Sequence, residues 1–157
     1  MTMEKTIKDF KSLSNFVGFL ALMQALTLLN AFSALNKMDI TALGSLDYAS
    51  MGIPASTALT IVKVMSIVPM VLGILILFYL CIKGRREAAD PSPAKLHIVL
   101  AVICAVVYGL SAATTLLDLF NNSSDLFLKI LEVVISGFSS VLMFYYFQYA
   151  KKIRTKE

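Results

Sequence analysis

The chain has 157 residues, of which 58% are hydrophobic and only 15% charged, with a mean hydropathy of +0.79. A soluble domain carries about 45–50% apolar residues, so this composition excludes one and points to a membrane protein. The net charge of +4 does not indicate nucleic acid, because the cations cluster at the ends of apolar runs instead of covering a polar face.

The first twelve residues form a polar, amphipathic lead with Lys5, Lys8 and Lys11 beside Glu4 and Asp9. An almost uncharged run over about residues 13–35 follows. At ~1.5 Å per residue it is long enough to cross a ~30 Å hydrocarbon core. A signal peptide is the rival reading, and the run exceeds the usual h-region of about 7–15 residues. Gln24 lies near the middle of this first span and is expected to hydrogen-bond to another span.

Residues 36–55 form the longest outer connection, with Lys37, Asp39, Gly44, Asp47, Tyr48, Gly52 and Pro54. The second span covers about 56–82 and holds Lys63 near its outer edge and Pro69 in its middle. Pro69 should kink the helix and free backbone carbonyls. Residues 83–95 are the densest charged interruption, Lys83-Gly-Arg-Arg-Glu-Ala-Ala-Asp-Pro-Ser-Pro-Ala-Lys95, and read as a cytoplasmic loop.

The third span covers about 96–119, with the small-residue stripe Ala105, Gly109 and Ala113, and ends at Asp118. Asn121-Asn122-Ser123-Ser124 reads as a polar turn before the fourth span over about 126–150, whose centre holds Ser136, Gly137, Ser139 and Ser140. Such stripes read as close-packing seams ahead of a polar pathway. The N-terminal lead, the middle loop and the C-terminal tail hold eleven of the fourteen Lys and Arg. By the positive-inside rule this predicts an all-α, polytopic protein of the cell membrane, the inner membrane for a bacterium. Its four transmembrane helices would form a single up-down bundle over residues 1–157, with both termini cytoplasmic. Laid on the second span at an offset of 66, the fourth matches Lys63 with Lys129 and Phe78-Tyr79 with Phe144-Tyr145, a faint repeat that shared interfacial anchoring also explains.

Glu132 is the residue that stands out. It lies one helical turn deeper than Lys129, and an acid there is costly unless it is paired. Lys129 and Lys63 are its expected partners. The pair reads either as a structural lock between spans or as an ion, proton or substrate site near the outer mouth, and together with Gln24 forms the candidate polar site.

His97 is the only histidine, and Cys81 and Cys104 lie twenty-three residues apart, so no metal-ligand or C-x-x-C spacing exists. The seven residues from His97 to Cys104 resemble the His and Cys of membrane endopeptidases that process bacterial signalling peptides. In a straight helix they would stand about 10.5 Å apart, too far for proton transfer. The chain carries no H-E-x-x-H, G-x-S-x-G or P-loop sequence. No catalytic, cofactor or metal residues are therefore assigned, and no enzyme activity or cofactor is expected.

The basic-then-proline middle loop (Lys83-Gly-Arg-Arg with Pro91 and Pro93), the acid Asp118 closing the third span and the exit Tyr145-Tyr146-Phe147-Gln148-Tyr149-Ala150-Lys151-Lys152-Ile153-Arg154 follow a longer first outer loop. This order of features resembles the small bacterial four-span membrane proteins of domain of unknown function family 2569. The resemblance implies a fold and no activity. From the residues, the first expectation is a non-enzymatic accessory or interaction subunit of a membrane assembly. The alternative is a small oligomeric transporter or channel with a polar site near Glu132, and a remote alternative is the endopeptidase. Expected partners are the bilayer, a second copy or a larger membrane protein, and anionic lipid headgroups at the basic loop and tail, with no nucleic acid.

Overall fold

A computed structural model describes residues 3–43, 52–90, 95–121 and 126–155. Gly44, Asp47 and Tyr48 of the outer connection, Pro91 and Pro93, the Asn122-Ser123-Ser124 turn and Lys156 lie outside the described residues. The described chain is all-helical. The helices are α1 (Met3–Lys37), α2 (Ala55–Glu87), α3 (Leu96–Asn121) and α4 (Leu126–Arg154), with a short 3-10 helix at Ile40–Leu43. All four α-helices are long and apolar enough to cross a membrane, and at most 28% of any one's most apolar stretch is buried in protein.

Two of the helices extend well past the expected spans. α1 starts at Met3, so the lysine-bearing lead is helical and continuous with the first span. The lead is amphipathic as expected: Thr6, Phe10, Ser14 and Val17 are buried at helical spacing, while Lys5, Lys8 and Lys11 are exposed. α2 runs to Glu87, five residues past the expected end, and takes Lys83-Gly-Arg-Arg-Glu into its last turns. Cations suit that position because a helix C-terminus carries partial negative charge. α2 is also helical through Pro69, which lacks the N–H that would bond the carbonyl of Met65.

Helix starts follow ordinary chemistry. Pro54 precedes α2 and its carbonyl accepts the Ala58 N–H at 3.0 Å, while the Lys95 carbonyl opens α3 by accepting the Val99 N–H at 3.2 Å.

The chain divides into two compact units. One holds Ala21–Ile76, that is, the second part of α1, the 3-10 helix and the first part of α2. Here Asp39 Oδ1 accepts from the Thr41 amide at 3.0 Å and from the Thr41 hydroxyl. Gly73 faces Gln24, whose Oε1 would lie 3.8 Å from an added Cβ.

The other unit holds the chain up to Leu20 and from Leu77 onward. Its core is Phe10 and Val17 of α1, Leu77 and Leu80 of α2, Ala101 of α3, and Met143, Tyr146 and Ile153 of α4. α3 and α4 pack against each other, and their contacts run in opposite chain directions. Part of the expected small-residue seam forms: Ser140 Oγ donates to the Ala105 carbonyl at 2.7 Å, and an added Cβ on Gly109 would come within 3.2 Å of the same hydroxyl, whereas an added Cβ on Gly137 would meet nothing within 4 Å.

Candidate functional site

The residues singled out by sequence are divided between the two units. Lys129 Nζ lies 2.6 Å from Asp118 Oδ2, joining the first turn of α4 to the last turns of α3. Glu132 Oε1 accepts from Thr115 Oγ1 at 3.2 Å. Thr115 with Asp118, and Lys129 with Glu132, are each one turn apart, so the four form a polar ladder of two rungs. Lys63, Gln24 and Pro69 belong to the Ala21–Ile76 unit, with Gln24 at Gly73.

A second, deeper polar cluster forms where the start of α1, the end of α2, the start of α3 and the end of α4 converge. Gly84 makes the approach close: an added Cβ there would collide with Ser14 Oγ and stand 2.7 Å from Tyr146 Oη. The hydroxyl of Tyr146, itself fully buried, donates to the Leu80 carbonyl at 2.9 Å. The Phe10 ring packs on Tyr146 with centroids 5.0 Å apart. One turn beyond Gly84 on the same face is Glu87, only 1% exposed. Arg154 Nε donates to Glu87 Oε1 at 2.5 Å. Glu87 Oε2 points toward His97 Nε2 at 3.9 Å.

His97 itself is fully buried, and its ring meets Tyr146 edge-on at 6.3 Å. Neither of its ring nitrogens has a hydrogen-bond partner among the described residues. The cluster thus contains one carboxylate, one guanidinium held to it, and one buried imidazole just outside bonding range. A signal for it existed in the sequence: Gly84 and Glu87 share a helical face, and an Arg closes α4. The stretch 83–95 read as a loop, however, and a loop acid has no reason to be buried.

Cys104 is not part of this cluster. α3 is a single helix from Leu96, so the seven residues from His97 carry Cys104 about 10.5 Å along the axis, beyond the reach of proton transfer to the imidazole. Compared with family models, curated proteins and solved structures, the chain matches none of them.

Proposed function

We propose that the chain is a multi-pass protein of the cell membrane, an up-down four-helix bundle with both termini cytoplasmic. In this reading it works without catalysis, as an accessory or interaction subunit of a larger membrane assembly. The observation that carries the reading is an apolar groove of about 500 Å³ beside the α3/α4 seam, lined by Val102, Val106, Val141, Phe144 and Phe147 among others. Three polar contacts join that helix pair: Ser140 with Ala105, Glu132 with Thr115, and Lys129 with Asp118. A groove of this chemistry suits the apolar face of a partner helix and offers little to a hydrated ion. Exposed Lys5, Lys8 and Lys11 of α1 and Arg85 and Arg86 of α2 support contact with anionic headgroups on the cytoplasmic side. The order of features shared with the small bacterial four-span proteins fits this architecture and brings no activity with it.

A photo-reactive residue at Val106 or Phe144 tests the reading in native membranes. One protein adduct of defined mass, lost on Val102→Glu, is the expected result. Lipid adducts alone at both positions would sink it.

The rival reading, a small oligomeric transporter or channel, draws on the Glu132–Thr115 rung within the helices' apolar stretches. Ion and proton flux in liposomes discriminates between the two. The accessory reading expects wild type and Glu132→Gln to be equally silent, whereas flux abolished by Glu132→Gln would establish the transporter.

A further inference from the structure

We infer that Glu87 is a shared buried counter-ion for which Arg154 and a protonated His97 compete, so that acidification on the side bearing the basic clusters undocks the last turn of α4. At neutral pH the carboxylate and the guanidinium balance, and the imidazole beside them has no hydrogen-bond partner among the described residues. A proton taken from water onto His97 leaves the site with two cations and one anion, none of them well solvated. Among the described residues, the other charged or titratable groups near the ring offer no second counter-ion. Lys83 of α2 adds a further positive charge. Tyr146 of α4 is neutral, with its hydroxyl committed to Leu80, and the buried stripe of α1 (Thr6, Phe10, Ser14) is uncharged.

A buried charge without a partner is costly, so one cation must leave. Geometry selects which. The His97 and Glu87 side chains are fully buried, whereas the Arg154 side chain is 16% exposed, belongs to the last residue of α4 and has a path to water. Closing the 3.9 Å gap between His97 Nε2 and Glu87 Oε2 to the ~2.8 Å of a charge-assisted hydrogen bond supplies the replacement contact. Arg154 and the buried Ile153 both anchor this turn, so loss of the guanidinium contact weakens its docking. Imidazole is the side chain that gains its charge on acidification, so a fall in pH is the stimulus.

The test is nuclear magnetic resonance on the full chain in nanodiscs, from about pH 8 to about pH 5. His97 is the only histidine, so its ring carbon gives one unambiguous signal. The expected result is that this signal titrates and that the Arg154 Nε–H signal, protected by Glu87 at high pH, is lost to solvent exchange over the same interval. In His97→Gln the Arg154 signal should persist to the acid limit. Three outcomes would overturn the inference: His97 remaining neutral throughout, His97 titrating while Arg154 stays protected, or Arg154 released equally in His97→Gln. Should His97→Gln fail to fold, coincidence of the two wild-type titrations decides alone.

Discussion

Gly84 is the residue on which the polar cluster depends. Its missing Cβ lets Ser14 of α1 and Tyr146 of α4 approach α2 at one point, since an added carbon would collide with Ser14 Oγ and stand 2.8 Å from Tyr146 Cε2. Neither neighbour can yield cheaply. Ser14 is fully buried and bonded to the Phe10 carbonyl at 2.9 Å, and Tyr146 is fixed by Leu80. Gly84→Ala should therefore cost about 1–3 kcal/mol, as overpacking does, and lower the melting temperature in mild detergent. Gly137→Ala is the control, because a Cβ there meets nothing within 4 Å. Equal melting temperatures for the two variants would rule out the close approach. The same contrast of buried with exposed governs the charges. Glu87→Gln removes the anion of a buried pair, for which costs of about 3–5 kcal/mol are usual, and the partly exposed Arg154 places it toward the lower end. Asp118→Asn breaks a pair whose carboxylate side chain is 56% exposed, a class worth about 0.2–1 kcal/mol. Thermal shifts of the two variants should fall in that order, and the reverse order would mean that the Glu87 site is wet.

At the scale of elements, the α3/α4 seam joins local chemistry to helix packing. Ala105 and Gly109 on α3 leave room for Ser140 to reach a backbone carbonyl of the facing helix, an approach a larger residue would block. Ser140→Ala should lose about 0.6–2 kcal/mol, the range for such bonds between membrane helices, while Gly109→Leu should separate the pair. Disulfide trapping between cysteines placed at Val102 and Phe144 would report separation as a loss of cross-linking; unchanged cross-linking in Gly109→Leu would refute a tight seam. The helices themselves were legible in the sequence because an apolar run of twenty or more residues has few alternatives. Their ends were less so. The charged stretch predicts an end to α2 near residue 82, yet the helix continues to Glu87, because cations are welcome at a helix C-terminus and Gly84 is needed inside the packing. Glu132 drew notice because an acid within an apolar run is conspicuous. Glu87 did not, because Arg85, Arg86 and Asp90 surround it in sequence. Its burial comes from the convergence of four helix ends, two of them at opposite ends of the chain, and no local pattern encodes that convergence.

For the whole molecule, the decisive quantity is the apolar surface left uncovered. Large side chains such as Phe19, Leu72, Val106, Phe127 and Phe138 are exposed along all four α-helices, a surface that water would not tolerate and lipid would. The helices are longer than the bilayer core requires. α1, with 35 residues, spans about 52 Å against a hydrocarbon thickness of ~30 Å. The excess is polar and sits at one end, so the turns bearing Lys5, Lys8 and Lys11 should project into water while the apolar remainder crosses. The same holds at the end of α2 with Arg85 and Arg86, and at the end of α4 with Lys151, Lys152 and Arg154. If these basic ends share the cytoplasmic side, Lys37 at the far end of α1 must lie outside. Single cysteines at Lys5, Lys37 and Thr155, in a background with Cys81→Ala and Cys104→Ala, test this with a membrane-impermeant maleimide. In intact cells only Lys37→Cys should react, and after permeabilisation all three should. Reaction of Thr155→Cys in intact cells would require an odd number of crossings and would overturn the four-span topology. If Lys5→Cys reacted as well while Lys37→Cys stayed protected, the crossings would stand and the orientation would be inverted, placing the His97 cluster and its response to acid on the outer side.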